Sequence, residues 1–276
     1  MRTEGWRKVA SATWRDPRDP QIYGDLEIDA TDLLAFVRDV RETTGTRLTV
    51  THLVGRAVAH ALAENPGLNV RKRRGRYLER DGIAIFFVVA VDEGRDLSGV
   101  RVRDADRKSA VEIAEELRSR AARIRSGEDA DFGRSKRVLR LTPVPLLGLS
   151  LRVVTWLTSD VGLDLRRFGL RSHPFGSAMV TSVGMFGVQR AYAPLSPFYR
   201  LPFLALVGEV TEKPVVLDGE IVARPILTIS ATMDHRYLDG SHAAKLAKSV
   251  RRYLEDPRAY EPPLADAPAA ASRGSA

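Results

Sequence analysis

Apolar residues recur along this chain with two different periods, and the alternation between them predicts a mixed α/β domain. Leu33, Leu34, Val37 and Val40 fall at helical spacing, with Thr31 placed to cap the start and Gly45 following the end. A second helix gathers Leu53, Val54, Ala57, Val58, Ala61 and Leu62 on one face before Pro66 stops it. A third repeats Ala110, Ile113, Ala114, Leu117, Ala121 and Ile124, and a fourth runs from Ser241 to Leu254. The strand candidates are Ile83–Val91, Ala178–Val183, Phe203–Val210 and Ile226–Met233, with Val215–Leu217 facing Ile221–Ala223 across an Asp218-Gly219 turn. Helices separated by single strands, with several strands late in the chain, predict a sheet covered on one side by helices.

Two stretches interrupt this pattern. Leu141 to Leu165 is strongly apolar, but it carries Pro143, Pro145, Arg152, Asp160 and Asp164. A spanning helix needs about 20 mostly apolar residues, so this run predicts a buried or subunit-facing helix, or an apolar lid or wall over a pocket, or a patch that touches lipid or a partner, and no membrane span. Arg71-Lys72-Arg73-Arg74-Gly75-Arg76 is the densest basic run, and its glycine predicts the tip of a hairpin, either a solvated turn or one that meets an acidic partner such as a protein or the phosphates of a cosubstrate.

Composition adds bounds. The chain has 276 residues, 44% of them hydrophobic, which suits one large domain over residues 1–258. The alanine- and proline-rich residues 259–276 are expected to be a disordered tail. The absence of cysteine excludes a thiolate metal site and a cysteine nucleophile. No spacing among the five histidines suits a metal. The opening MRTEGWRKVASATWRDPRDP has no apolar core of signal-peptide length, so a cytoplasmic protein is expected. A net charge of +8 favours acidic partners, but no basic-aromatic platform or motif points to nucleic acid.

The candidate chemistry lies in Met233-Asp234-His235-Arg236-Tyr237-Leu238-Asp239-Gly240, a polar loop between the last strand and the last helix. A histidine there can serve as a general base. An imidazole with a pKa of about 6.5 can take a proton from an attacking nucleophile at neutral pH. His52, His60, His173 and His242 have no comparable surroundings, and His52 and His60 are expected on helical surfaces. Asp104-Ala105-Asp106 and Glu115-Glu116 read as solvated carboxylates.

The signature D-H-R-x-x-D-G resembles the catalytic domain of the dihydrolipoamide acyltransferases of 2-oxo acid dehydrogenase complexes, whose fold is shared with chloramphenicol acetyltransferase. Thr51 to Val70, Val88 to Ser109, Gly176 to Gly187 (GSAMVTSVGMFG) and Lys213 to Pro225 are similar to further family segments in the same order, covering most of residues 25–258. The resemblance implies a two-layer sandwich of the chloramphenicol acetyltransferase type. Against that pattern, residues of about 135–172 form an apolar insertion, Gly99-Val100 stands where Pro-Val is usual, and Thr181-Ser182-Val183 replaces a serine-asparagine-leucine form.

By the same resemblance the reaction is direct transfer of an acyl group between coenzyme A and a thiol acceptor such as dihydrolipoamide. No cofactor is held and no acyl-enzyme forms. His235 would be the base, and Thr181, with Ser182 as the fallback, the hydroxyl that receives the oxyanion. Asp239 would pair with an arginine, Arg7 being the candidate, and so hold the histidine loop. Too few residues precede Gly24 for a lipoyl domain, so a lipoyl group would come from a separate protein. The family site lies between subunits of a homotrimer, with His235 from one chain and Thr181 from the next. A non-enzymatic trimeric scaffold that keeps the fold is the alternative.

Overall fold

In a computed structural model of the chain the described residues are 19–91, 96–125, 144–163, 165, 173–195 and 200–263, and every structural statement below concerns these. The order of elements is β1 (Gln21–Asp29), α1 (Thr31–Thr44), α2 (Val50–Glu64), β2 (Val70–Arg73), β3 (Arg76–Glu79), β4 (Ile85–Val91) and β5 (Asp96–Val102). It continues with α3 (Ala110–Arg125), α4 (Val144–Thr155), β6 (Ala178–Ser182), β7 (Phe203–Leu217), β8 (Glu220–Asp234) and α5 (Gly240–Glu255).

Six strands form one mixed sheet in the order β1-β8-β7-β6-β4-β5, and β2 and β3 form a separate hairpin. The β4–β6 and β6–β7 pairs are parallel and the other pairs antiparallel. β7 and β8 make one long hairpin closed at Asp218-Gly219, where the sequence pattern predicted separate short strands; the break at Pro225 is bridged because Pro225 still pairs with Glu212. A shift in register between Val207 and Val210 marks a bulge in β7, and there Glu209 N–H donates to the Val188 carbonyl at 3.0 Å.

The helices α1, α2, α3 and α5 cover one face of the sheet. The core lies between the layers and includes Leu33, Leu53, Leu62, Ile85, Phe87, Ile113, Val180, Leu227 and Leu254. Gly55 sets how closely α2 approaches: a Cβ there would sit 2.2 Å from the Phe87 ring. Gly99 does the same within the sheet, since a Cβ would meet the Phe86 ring at 2.1 Å, which gives the sequence's Gly99-Val100 a packing reason. The other face carries a smaller apolar cluster of Met179, Leu201, Leu204 and Leu206.

Capping differs in detail from the sequence expectation. Thr31 is the first residue of α1, and its N–H and hydroxyl donate to the Asp29 carboxylate at 2.9 and 2.5 Å, so Asp29 supplies the capping oxygen. Gly45 ends the helix with φ +70°, as the pattern predicted. The α3 start is a capping box in which Ser109 N–H donates to Glu112 and Glu112 N–H to the Ser109 hydroxyl. Glu261 adds an acceptor to the Ala110 N–H at 2.9 Å. Glu261 is buried and accepts from the Tyr253 hydroxyl.

The apolar run after residue 141 forms α4 and a π-helical turn, Trp156–Val161. Leu146, Leu149, Val153 and Trp156 are exposed. These four side chains do not join the core of their own chain, whereas Thr155, Thr158 and Ser159 are buried. No helix among the described residues is long and apolar enough to cross a membrane.

Candidate active site

The loop that carries His235 is fixed at both ends by the sheet and the last helix. Asp234 N–H donates to the Pro202 carbonyl at 2.9 Å and His235 N–H to the Pro20 carbonyl at 2.8 Å, so the histidine backbone is tied to strands on either side. Tyr237 and Leu238 N–H both donate to the Asp234 carbonyl, at 2.8 and 3.1 Å, and turn the chain sharply; the Leu238 side chain is buried as an anchor.

The imidazole is exposed, and its Nδ1 lies 2.8 Å from the Leu238 carbonyl. A carbonyl only accepts, so Nδ1 carries the proton and Nε2 keeps a free lone pair. The hydrogen bond thus sets the tautomer that a proton acceptor needs.

A buried carboxylate stiffens the same loop. The Asp234 oxygens accept from Arg236 N–H at 2.9 Å, from its Nε at 2.9 and 3.1 Å, and from its Nη2 at 2.6 Å. This hydrogen bond raises the Arg236 pKa. From the other side, the Tyr77 hydroxyl on β3 donates to the Arg236 carbonyl, and the Tyr77 and Tyr237 rings meet edge to face at 5.7 Å.

Thr181 lies on β6 opposite Leu206 of β7. Ala178 and Val180 belong to the core under the helices and Met179 to the cluster on the other face, so alternation puts Thr181 on the open face and Ser182 toward the helix layer. Between the two residues the sequence left open, only Thr181 faces away from the helices.

The strand register separates Thr181 from His235. His235 continues β8 to the level of Leu201, five residues along β7 from Leu206, or about 17 Å at about 3.3 Å per residue. Two strand spacings intervene sideways, so the separation within one chain is about 19 Å. A single chain does not bring the two groups onto one reacting atom.

A family model described as 2-oxoacid dehydrogenases acyltransferase (catalytic domain) matches residues 5–131 and 173–260. The chain belongs to this family. The dihydrolipoyllysine-residue acetyltransferase component of the pyruvate dehydrogenase complex of Bacillus subtilis (strain 168) is 27% identical over 239 residues, 84% of this chain and 44% of that protein. The corresponding component of the acetoin cleaving system of the same organism is 27% identical over 263 residues, 92% of this chain and 55% of that protein. The chain thus spans about half the length of the curated relatives it matches. A solved structure of a probable dihydrolipoamide acetyltransferase from Listeria monocytogenes 4b F2365 superposes with a TM-score of 0.67 at 22% identity, covering 96% of this chain and 97% of that one. This likeness fixes the acyltransferase catalytic-domain fold.

Asp239 starts α5. Its carboxylate caps α5 by accepting from His242 N–H at 2.9 Å, while Asp239 N–H donates to His242 Nδ1 at 3.3 Å. That backbone donor holds the carboxyl below its usual pKa. Among the described residues it meets no arginine, and Arg7 lies outside them. Asp234 is the loop carboxylate that pairs with an arginine. Its place inside the signature was legible; its burial was not, because it depends on β1 and β7 closing over it.

The remaining histidines are packed more deeply than expected. His52 Nδ1 accepts from Thr49 N–H at 3.2 Å at the start of α2, and burial pushes its pKa down to about 4. His60 packs against the rings of Tyr253 and Tyr260 at 5.3 and 5.0 Å. Burial also lowers its pKa. Tyr253 of α5 and Tyr260 close over His60, whereas His52 folds back on the start of its own helix near Arg41. His173 is buried among arginines, a setting the sequence did not announce.

Proposed function

We propose that this chain is an acyltransferase that moves an acyl group directly between coenzyme A and a thiol acceptor such as dihydrolipoamide, with His235 as general base. The observation that carries the reading is the Nδ1–H bond from His235 to Leu238, which leaves Nε2 as acceptor for a thiol proton. As the thiol approaches, Nε2 takes its proton and the thiolate sulfur adds to the thioester carbonyl. The resulting oxyanion accepts a hydrogen bond from the Thr181 hydroxyl. When the tetrahedral adduct collapses, the carbon–sulfur bond to the first thiol breaks, and the imidazolium returns the proton to the departing sulfur.

The separation of about 19 Å between Thr181 and His235 in one chain supports a site completed by a neighbouring copy in a homotrimer, with Thr181 supplied by that copy. Asp234 and Arg236 position the histidine loop, and Asp239 starts the helix behind it. A lipoyl acceptor would arrive on a separate protein or domain. The exposed apolar stripe of α4 fits a surface that shapes acyl choice or meets a neighbour.

The test is release of free coenzyme A from a panel of acyl-coenzyme A donors with dihydrolipoamide, beside His235→Ala. Loss of the general base lowers turnover by about 10²–10⁴-fold. Acceptor-dependent turnover that survives intact in the variant would refute the assignment of His235.

A further inference from the structure

Apart from the histidine loop, the described residues enclose a cavity of about 480 Å³ whose lining is unusually rich in arginine. Arg71 comes from β2, Arg80 from the residue after β3, and Arg101 and Arg103 from the end of β5. Asp81 is the single carboxylate on the lining. The floor is made by His173 and Ser177, which lead into β6 and are 6% and 2% exposed.

This pocket is built rather than accidental. Ser177 N–H donates to the Ala84 carbonyl at 2.7 Å, and Ala84 N–H donates back to the Ser177 hydroxyl at 3.2 Å. Gly176 N–H closes a turn onto the His173 carbonyl at 3.2 Å, and a Cβ on Gly176 would lie 2.4 Å from the Ala84 carbonyl oxygen. Arg80 is held by carbonyls, with Nε to Val70 at 3.0 Å and Nη2 to Arg200 at 3.2 Å. Among the described residues, Arg71, Arg80 and Arg103 form no ion pair with a carboxylate.

Arg71 and Arg80 are half-buried and Arg103 is exposed at the mouth, so the four arginines outnumber the one lining carboxylate, Asp81, and such an excess of partly desolvated positive charge favours an anion. Burial pulls the Arg80 pKa down to about 10, and burial together with the surrounding arginines pulls His173 down to about 3. The inner face also holds unanswered polar atoms: among the described residues, buried His173 Nδ1 and Arg71 Nε meet no hydrogen-bond partner.

We propose that this cavity is a binding site for a phosphate-bearing anion, gripped by Arg71 and Arg103 with His173 and Ser177 beneath it. Guanidinium forks match phosphoryl oxygens in pairs, and a partly enclosed site strengthens each bond. The site is separate from the reacting centre but faces the same end of the sheet: Ser177 precedes β6 level with Pro202, whose carbonyl receives Asp234 N–H. The same chemistry has two sources, the phosphates of a bound cosubstrate or a separate phosphorylated ligand, and the test tells them apart.

Inorganic pyrophosphate and coenzyme A are titrated calorimetrically into the full chain, into Arg71→Gln, and into Arg118→Gln on the exposed surface of α3 as the control. Pyrophosphate should bind the unaltered chain and Arg118→Gln alike, and bind Arg71→Gln at least about tenfold more weakly, the effect of one lost charge-assisted hydrogen bond. His235→Ala should keep pyrophosphate binding, so the site stands or falls apart from the acyl-transfer proposal. A parallel loss of coenzyme A affinity in Arg71→Gln assigns the site to the cosubstrate; undiminished coenzyme A affinity with lost pyrophosphate binding assigns it to another phosphorylated ligand. No pyrophosphate binding, or equal binding by Arg71→Gln with an unchanged melting temperature, overturns the proposal.

Discussion

Complementation between two inactive variants tests the intersubunit site directly. His235→Ala removes the proton acceptor and Thr181→Ala the oxyanion donor, and each alone should lose activity, the second by about 10²–10³-fold. If each site takes His235 from one chain and Thr181 from its neighbour, mixed trimers rebuild intact sites wherever a Thr181→Ala chain supplies the histidine beside a His235→Ala chain supplying the threonine. With equal amounts and random assembly each of these choices is met half the time, so the whole mixture should recover about a quarter of the unaltered activity, and the mixed trimers alone, each with one intact site of three, about a third. The about 19 Å between the two residues in one chain motivates this, since a hydroxyl must come within about 3 Å of the oxyanion. The variants are co-expressed with different tags, doubly purified to isolate mixed oligomers, and assayed for acceptor-dependent release of coenzyme A. Activity no higher than the average of the two variants in verified mixed oligomers would refute the shared site.

Two further outcomes follow from the packing around the site. His52 is held with its pKa depressed to about 4, so the unfolded chain, with its histidines near about 6.5, binds more protons between those values. Stability should therefore fall as pH drops below about 6.5, with a slope approaching about 1.4 kcal/mol per pH unit for this histidine; urea midpoints against pH should be flatter for His52→Gln, which keeps an acceptor for Thr49 N–H, and an unchanged slope would show that His52 is not the linked group. Asp239→Ala should lower the melting temperature through loss of the α5 cap, whereas Asp239→Asn, a good cap, should keep nearly all of the stability; a large activity loss in Asp239→Asn at unchanged melting temperature would assign Asp239 the arginine-anchor role that the sequence resemblance implies.

The local elements of this protein were written in its sequence wherever one face is buried. The α2 stripe from Leu53 to Leu62 and the α3 stripe from Ala110 to Leu117 read correctly because helical periodicity and burial coincide there. The basic run from Arg71 read correctly as a hairpin because Arg74-Gly75 takes the left-handed turn conformation. β1 was missed: it is an edge strand whose alternating pattern, QIYGDLEID, is diluted by polar residues on the solvent side. The signature around His235 likewise marked the loop without showing how it is held. Tertiary structure alone decided that Asp234 is buried against Arg236, that Thr181 and not Ser182 faces away from the helices, and that Thr181 stands far from His235 in its own chain. It also gathered Arg71, Arg80, Arg101 and His173, which lie about a hundred residues apart at the extremes, around one cavity. The physical reason is common to all four: sequence period fixes which face a side chain takes, but strand order and register fix what it meets there.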